Sequence, residues 1–216
     1  MDQKLLLLIN QKWTSPALDR LMALMSSFDA WVPIFVLIIL AFLVWGGFRG
    51  RACVLTVALV LAINDGIVAH SLKIAAHRLR PHEEISGVRQ VDLAKAKPRI
   101  FALAKPLKIT PSTRVIDSGQ GRSFPSGHAI DTTSVAVLLT LFYPRRGWLA
   151  FLIPLLVGYS RVYVGSHWPS DVIASYFIGT GATLLLAILG ELAWRKFAGR
   201  LLPGLQQQHP TLFAVS

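Results

Sequence analysis

The sequence has few charged residues and almost no cysteine. Charged residues make up 15% of its 216 residues, whereas 53% are hydrophobic. The mean hydropathy is +0.53. This balance excludes an ordinary soluble domain and indicates an integral membrane protein. The single cysteine, Cys53, excludes an intramolecular disulfide. No internal repeat is evident, so a repeat architecture is also excluded.

Acidic residues are scarce relative to basic ones. The chain has 22 Lys and Arg residues against 11 Asp and Glu residues, which gives a formal net charge of +11. Such an excess in so apolar a chain predicts an anionic partner: nucleic acid, an acidic lipid or a phosphate group. The basic residues are interleaved with few aromatics and no nucleic-acid motif is present, so we do not expect nucleic acid as a partner.

Five apolar segments approach the length of a membrane-spanning helix, which is about 20 residues. They are residues 31–48, 52–72, 127–143, 148–164 and 172–190. The connections at 46–51 and 144–147 are short, which predicts antiparallel neighbouring helices. We therefore predict an all-α fold, an integral membrane helical bundle that forms one domain over residues 1–216 with about five transmembrane helices.

The two ends of the chain differ from these spans. Residues 1–28 carry Leu18, Leu21, Met22 and Met25 at helical spacing, which predicts an amphipathic segment along the membrane surface. Packing of this segment against the bundle is an equally good interpretation. Residues 203–216 are predicted to form a mobile cytoplasmic tail.

The predicted spans place the N-terminus, the connection 73–124 and the turn 165–170 on one face. The opposite face receives a set of basic residues close to helix ends, which the positive-inside rule makes cytoplasmic; they are Arg49, Arg51, Arg145, Arg146, Arg195, Lys196 and Arg200. The first face is therefore expected to lie on the outer side of the membrane.

The segment 82–124 is a long loop on that first face. Loops beyond about 15 residues are usually functional or disordered, and this one fits either a piece touching lipid headgroups or a solvated loop. It is basic, and so is the helix end before it. We hypothesise that some of these cations hold a second phosphate or a large acidic headgroup; the candidates are Arg78, Arg89, Lys95, Lys97, Arg99, Lys105 and Lys108.

Three polar clusters fall on the same predicted face. In the first, Arg161, His167 and Asp171 lie beside apolar sequence, where a charge is costly and therefore indicates function. Pro169 predicts a helix start, from which Asp171 could reach one nitrogen of His167. An imidazole held in that way can act as a base or a nucleophile. The alternative is an interfacial segment that places Tyr163 and Trp168 at headgroup depth.

The other two clusters lie at helix ends. Lys73 and Arg80 are seven positions apart, two helical turns, which predicts that both project to one side. Arg78 or His77 could substitute as the cation. Proline and glycine around Ser126 and Gly127 predict a helix start that exposes backbone N–H groups to an anion. Each cluster alone also fits a lipid-facing basic end or an ordinary turn.

Together these residues resemble a known family. Lys73-x6-Arg80-Pro81, Pro125-Ser126-Gly127-His128 and Ser160-Arg161-x5-His167-x3-Asp171 are similar to the three-part signature of the type 2 phosphatidic acid phosphatase superfamily. That family includes lipid phosphate phosphatases, polyprenyl (pyro)phosphate phosphatases, lipid A phosphatases, glucose-6-phosphatase and vanadium haloperoxidases. The match covers all three motifs in order, with no departure at a signature position.

The resemblance implies a role for each signature residue. His167 would be the nucleophile that forms a phosphohistidine, Asp171 would fix its tautomer, and His128 would protonate the leaving lipid oxygen and later activate water. The expected phosphate-binding groups are Lys73, Arg80, Ser126, Gly127 and Arg161. These cations would neutralise the phosphate, so neither a metal nor a cofactor is expected.

The resemblance further implies a phosphorylated lipid as substrate. Undecaprenyl (pyro)phosphate and lipid A phosphate are the favoured candidates, with phosphatidylglycerophosphate or phosphatidate as alternatives. A transporter would need polar residues through the bilayer's depth, and a non-catalytic lipid-binding relative should lack His128 or His167. Of the other polar residues, Asn64 and Asp65 are expected to be buried with a partner, and Asp131 to make a helix–helix hydrogen bond or to tune His128.

Overall fold

The computed structural model describes residues 1–96, 99–113 and 121–213, without the side chains of Arg99, Ile100 and Leu103. Lys97 and residues 214–216 of the predicted tail lie outside the described residues. The α-helices are α1 Asp2–Leu7, α2 Pro16–Ser26, α3 Phe28–Trp45, α4 Gly47–Ile63, α5 His70–Ala76, α6 Pro81–Glu84, α7 Gly127–Phe142, α8 Leu152–Tyr163, α9 Pro169–Leu201 and α10 Pro203–Gln208. Shorter helical turns lie at Leu8–Lys12, Asn64–Ala69, Arg99–Ala104 and Gly147–Phe151.

The prediction of a helical membrane bundle is confirmed. Three helical segments, Phe28–Trp45, Gly47–Glu84 and Pro169–Leu201, are long and apolar enough to cross a membrane. Their apolar side chains are largely exposed in the protein alone, as expected for surfaces that contact lipid. Two shorter apolar helical segments, Gly127–Phe142 and Gly147–Tyr163, match the third and fourth predicted spans. The number of five transmembrane helices stays a prediction.

Helix α7 lies at the centre of the bundle and packs against α4, α8 and α9. Close approach to α9 requires Gly179, since a Cβ there would lie 3.1 Å from the carbonyl oxygen of Ile130. Asn64 is fully buried and donates to Ser134 Oγ at 2.9 Å and to Thr183 Oγ1 at 3.1 Å. This amide connects three helical segments, and the expected buried partner is therefore present.

The N-terminal segment packs against the bundle. Leu6, Ile9, Met22 and Ala23 are buried in one cluster with Tyr163 at the end of α8. This packing favours the second of the two interpretations drawn from the sequence, although Leu21 is 42% exposed and could still contact lipid. Residues 1–26 thereby form a wall beside the helix ends that carry the polar clusters.

The long connection contains a small sheet that the sequence did not predict. Strands β1, Arg89–Asp92, and β2, Lys108–Pro111, pair antiparallel. Asn10 accepts a hydrogen bond from the Arg89 N–H at 2.9 Å and donates to the Arg89 carbonyl at 2.8 Å. It also donates to the Tyr163 carbonyl at 2.6 Å. This buried side chain therefore fixes β1 to the end of α8.

The described part of the C-terminal tail packs onto the bundle. Helix α10 contacts α9, and the indole of Trp194 donates to the His209 carbonyl at 2.9 Å. Phe213 packs against Phe142, with ring centroids 4.8 Å apart. The half-buried apolar side chains at 212 and 213 pack against α4, α7 and α9, whereas the mobility of the tail stays a prediction.

Candidate active site

Helix α9 begins at Pro169, as the sequence predicted. Asp171 is the third residue of the helix, and its carboxylate accepts a hydrogen bond from the Trp168 backbone N–H at 3.2 Å. A carboxylate in this position accepts a hydrogen bond from a free N–H, and the positive end of the helix dipole stabilises its negative charge. Asp171 is fully buried and His167 is 4% exposed. Both side chains are therefore fixed where the turn after α8 meets the start of α9.

His167 is oriented by a backbone carbonyl. Its Nδ1 lies 2.6 Å from the carbonyl oxygen of Ser123. A carbonyl can only accept, so Nδ1 carries the proton and Nε2 keeps a free lone pair. The segment that brings Ser123 here is held by Arg78, whose carbonyl accepts from the Ser123 N–H at 2.9 Å. It passes close over Arg78, since a Cβ at Gly121 would clash with the Arg78 carbonyl.

The expected hydrogen bond from Asp171 to His167 is replaced by an indirect connection. Asp171 Oδ2 accepts from the Ser123 hydroxyl at 2.5 Å, while the same residue's carbonyl holds the imidazole. Ser123 lies between the two side chains, so the sequence-based geometry is wrong here. The carboxylate can still fix the imidazole's position, but it does so through Ser123.

Arg78 completes the surroundings of Asp171. Its Nη1 contacts Asp171 Oδ1 at 2.5 Å and Ser170 Oγ at 2.8 Å, and its Nη2 contacts Asp2 Oδ2 at 2.7 Å. The guanidinium also lies 5.2 Å from the ring centroid of Trp168. Burial acts to raise the pKa of Asp2, but the hydrogen bonds from Ser170 and the charge of Arg78 lower it overall. Arg78 is therefore engaged by two carboxylates.

Lys73 and Arg80 do not share one helix, contrary to the prediction. Helix α5 ends at Ala76, and His77 adopts a left-handed conformation with φ 48°. Arg80 then lies in extended backbone just before α6. The helix ends at this cap, so the two cations approach the site from different segments. A Cβ at Gly127 would lie 3.5 Å from Lys73 Nζ, which places the ammonium at the start of α7.

The start of α7 presents the second histidine. Ser126 precedes the helix and makes no side-chain cap, and its N–H donates to Ser175 Oγ of α9 at 2.9 Å. His128 follows in the first turn and stacks on Phe28, with ring centroids 4.1 Å apart. Because the first N–H groups of a helix have no partner within it, this end can donate to an anion.

Arg161 links the site to the N-terminal segment. Its Nη1 donates to both the carbonyl and the hydroxyl of Ser26. Arg161 and Arg80 both act electrostatically on His128 and His167. In the part of the chain that the structure describes, Ser126 Oγ and Arg161 Nε are buried without a hydrogen-bond partner. These two unused donors, together with the positive charges of Lys73, Arg80 and Arg161, fit the binding of an oxyanion with several acceptor oxygens.

The charge state of His167 follows from its surroundings. Burial, together with the positive charges of Arg161 and Arg80, lowers the pKa of His167 well below its ordinary value. The imidazole is therefore neutral at neutral pH, as a nitrogen nucleophile requires.

Within residues 1–96, 99–113 and 121–213, no group of three or more His, Cys, Asp or Glu side chains is arranged to hold a metal ion.

A cavity of about 290 Å³ opens beside this site. Arg80 and Arg161 line it, and the rest of its wall comes from the α2–α3 corner, the strand β1 and the turn after α8. The lining is polar, with Ser26, Gln90 and Asp92 among its members. His82 also contributes, and its Nδ1 donates to the Gly165 carbonyl at 2.9 Å.

Two acidic residues differ from their expectations. Asp65 was expected to be buried, but it is exposed, with Oδ1 3.5 Å from the Cβ position of Gly127 and thus near Lys73. Asp131 Oδ1 is buried and has no hydrogen-bond partner among the described residues, so it makes no helix–helix bond there. Both carboxylates lie on the lysine side of the site, away from Asp171.

Sequence reasoning missed three groups. Ser123 lies outside the signature, and its backbone role leaves no trace in residue type. Ser26 lies 135 positions before Arg161 in the sequence, so only the folded chain brings the two residues together. Arg78 was considered as an alternative phosphate ligand, and the structure instead places it on Asp171.

Comparison with known proteins identifies a family for the sequence. The sequence matches the PAP2 superfamily over residues 52–195. An undecaprenyl-diphosphatase of Sulfolobus acidocaldarius is 37% identical over 103 residues, which is 47% of this chain and 50% of that protein. The matched region therefore spans about half the length of that relative.

Two further matches cover nearly the whole chain. A lipid A 4'-phosphatase of Bacteroides thetaiotaomicron is 27% identical over 209 residues, 94% of this chain and 84% of that protein. The crystal structure of Aquifex aeolicus LpxE superposes with a TM-score of 0.58 at 22% identity, covering 86% of this chain and 93% of that one. At that identity the superposition shows a shared fold.

Proposed function

The chain belongs to the PAP2 superfamily, and on that basis we propose that it is a membrane lipid phosphatase. It would hydrolyse a lipid phosphomonoester or pyrophosphate through a phosphohistidine intermediate, without a metal or other cofactor. The observation that carries this proposal is the convergence of Lys73, Arg80 and Arg161 on two histidines, one of which has a fixed tautomer.

The first step would be attack by His167 Nε2 on phosphorus. A P–N bond forms, the bond from phosphorus to the lipid oxygen breaks, and His128 gives its proton to that oxygen. Arg80, Arg161 and the free N–H groups at the start of α7 would stabilise the charge on the equatorial oxygens. The Ser123 carbonyl, itself bonded to His167 Nδ1–H, stabilises the positive imidazole that results.

The second step would release phosphate. His128, now neutral, takes a proton from water as the water oxygen attacks phosphorus. The P–N bond breaks, inorganic phosphate leaves, and both histidines return to their starting states. Asp171 would act as a positioning residue through Ser123, because it touches neither the imidazole nor the phosphate site directly.

Undecaprenyl (pyro)phosphate and lipid A phosphate are the substrates we favour. The names of the undecaprenyl-diphosphatase and the lipid A 4'-phosphatase support this class. Phosphatidylglycerophosphate and phosphatidate remain the alternatives. Purified protein should release phosphate from at least one of these lipids, and His167→Ala should reduce release to the uncatalysed background. Full turnover by that variant would refute the mechanism.

A second measurement tests the intermediate. The substrate for this test is a lipid that carries ³²P in its phosphate. His128→Ala should retain label on the protein, because without His128 the attack by His167 is slowed less than the hydrolysis of the P–N bond. That label should be acid-labile and alkali-stable, as a phosphohistidine is, and absent from His128→Ala/His167→Ala. Label that persists without His167 would assign the nucleophile elsewhere.

We further propose that the protein lies in a bacterial inner membrane with the site facing the periplasm. The seven cations of the predicted cytoplasmic face are exposed, and the exposed Trp45 and Trp148 lie among them, as aromatic residues do at membrane interfaces. In a Cys53→Ser background, a membrane-impermeant thiol reagent should label Thr113→Cys in intact cells but not Arg145→Cys. The reverse pattern would invert the orientation.

A further inference from the structure

Arg80 and Arg161 line a polar cavity whose other lining residues have no role in the reaction described above. We propose that it holds a hydroxyl-rich headgroup that carries the scissile phosphate, such as a sugar ring, and that it discriminates against a second phosphate. This inference rests on the proposed lipid phosphatase function. A volume of about 290 Å³ is at the lower limit for small-molecule sites, which suits a single ring.

Strand β1 forms part of the cavity wall. Side chains alternate along a strand, so Gln90 and Asp92 point to one face while Val91, 1% exposed, packs into the core on the other. Both Gln90 and Asp92 line the cavity. The strand therefore presents an amide and a carboxylate towards the phosphate site.

The position of β1 relative to the site is fixed. Asn10 bonds to both Arg89 and Tyr163, and therefore connects β1 to the helix that carries Arg161. Gly165 has φ +74°, and a Cβ there would lie 2.7 Å from the Arg89 carbonyl. The strand thus lies directly on the turn between Arg161 and His167. A headgroup bound by β1 would be held at a constant distance from the phosphate.

The chemistry of the lining favours hydroxyl groups. Asp92 accepts hydrogen bonds only, Gln90 accepts and donates, and the serines at 26, 27 and 166 can do both. A sugar or glycerol offers matching donors and acceptors. With Arg80 and Arg161 engaged by the scissile phosphate, a second phosphate would meet the negative charge of Asp92, and like charges across a binding site are unfavourable.

The cations expected to hold a second phosphate do not line this cavity. Arg78 pairs with Asp171 and Asp2, and Arg89 pairs with Asp19 at 2.8 Å. Lys105 donates to the carbonyl of Lys95, and both are exposed, as is Lys108. The hypothesis drawn from the sequence therefore has no support within this cavity and stays a prediction; Lys97 and the side chain of Arg99 lie outside the described part of the chain.

The test compares substrates that differ in headgroup. Purified full-length protein is assayed on an acylated glucosamine disaccharide 1-phosphate, on phosphatidate and on polyprenyl diphosphate. Asp92→Ala should lower kcat/KM for the glycolipid about tenfold and change that for phosphatidate by less than about threefold, because only the glycolipid loses hydrogen bonds. Gln90→Ala should act in the same direction to a smaller extent. Glu84→Ala, which removes an exposed carboxylate outside the cavity, should leave both values unchanged.

Equal losses on the glycolipid and phosphatidate would overturn the headgroup site while leaving the phosphatase function intact. So would a wild-type preference for polyprenyl diphosphate over the glycolipid. Binding of the glycolipid to His167→Ala protein provides a readout without turnover, and adding Asp92→Ala should weaken that binding about tenfold. Release from none of the lipids by the wild type, with binding still dependent on Asp92, would refute the phosphatase function alone.

Discussion

The two ends of the helical bundle are built from different chemistry. At the end that carries the candidate active site, the buried groups are polar: Ser123, Ser126 and Asp171 are fully buried, and His167 is 4% exposed. At the opposite end the buried cluster is apolar and consists of Ala52, Cys53 and Phe142. Phe142 packs against Phe213 there, and the cations Arg49, Arg51, Arg145, Arg146 and Arg200 are exposed.

Basic residues at helix ends therefore have two meanings in this molecule. Where they are exposed beside an apolar cluster, they fit contact with lipid headgroups or with the cytoplasm, and they do little to fix the positions of neighbouring side chains. Where they surround buried hydroxyls and imidazoles, each polar group needs a partner, since an unpaired one costs about 1–3 kcal/mol. Hydrogen bonds and ion pairs therefore fix the side-chain positions at the site end, whereas apolar packing holds the opposite end together. Substitutions that remove a charge should therefore lower activity strongly at the site end and little at the opposite end.

Asp171→Asn should have the largest effect. The amide keeps the size of the side chain but removes the charge that pairs with Arg78, and it offers one acceptor where Arg78 Nη1, Ser123 Oγ and Trp168 N–H now use two. By analogy with carboxylates that position a catalytic histidine, kcat should fall about 10³-fold or more. Phosphate release from the best lipid of the panel measures the change.

Glu191→Gln is the matched control at the opposite end. Glu191 is also a helix carboxylate with several partners, Arg195 at 2.6 Å and the Leu212 N–H at 2.8 Å. It should leave kcat within about twofold, because it touches nothing at the site. Similar losses in both variants would show that removing any carboxylate of α9 unfolds the protein, and the comparison of the two ends would fail.

Arg78→Ala should have the next largest effect and should differ from Arg80→Ala. Arg78 contacts Asp171 and Asp2, so its loss should lower kcat about 10- to 100-fold with little change in KM. Arg80 lines the cavity and acts on both histidines, so its loss should also raise KM. Arg78→Lys should recover part of the activity, since a lysine restores the charge without the two-pronged contact.

The split between kcat and KM distinguishes positioning from phosphate binding. If Arg78→Ala raises KM as strongly as Arg80→Ala does, then Arg78 binds the substrate, as the sequence had allowed. Asp2→Asn provides a further check, because Asp2 contacts Arg78 and Ser170 only from outside the site. It should give a weaker loss of kcat than Arg78→Ala does.

Much of this fold could be predicted from the sequence because membrane helices are apolar over their whole length. The start of α9 at Pro169 followed from proline chemistry, and the bundle from hydropathy. The hairpin of β1 and β2 could not be predicted, because its strands are only four residues long, β2 is exposed throughout, and the buried Val91 of β1 belongs to a core cluster with the N-terminal segment.

At the site, residue types were easier to predict than contacts. Lys73 and Arg80 were expected to share a helix, but the left-handed His77 separates them, and histidine gives no signal for that conformation. The role of Ser123 depends on its carbonyl, which every residue has. Long-range partners such as Ser26 and Asp2 depend on the packing of residues 1–26, for which the sequence left two interpretations open.

The pH dependence of stability should reveal the buried imidazole. Burial and the charges of Arg161 and Arg80 lower the pKa of His167 in the folded protein, whereas the unfolded chain takes up a proton below about pH 6.5. The unfolded state then binds more protons, so stability falls as the pH drops below about 6.5, by up to about 1.4 kcal/mol per pH unit. The free protein keeps a neutral nucleophile over the same range.

Thermal unfolding at pH 7.5 and pH 5.5 in detergent measures this effect. His167→Gln, which cannot take up a proton, should lose less stability between the two pH values than the wild type does. Equal losses would mean that His167 is already protonated in the folded protein or that another group dominates. His209→Gln is the control from the opposite end, where the imidazole stacks on Phe48 with ring centroids 4.1 Å apart.

Arg195→Ala should have the smallest effect. The guanidinium pairs with Glu191 at 2.6 Å, one turn away on α9, but its side chain is 60% exposed. Exposed pairs at this spacing contribute about 0.3–0.5 kcal/mol, so the free energy of unfolding should change by no more than that and kcat should not change. A loss of activity comparable to that of Arg78→Ala would mean that ion pairs at the two ends are coupled through α9. The two ends of the bundle could then no longer be described as independent.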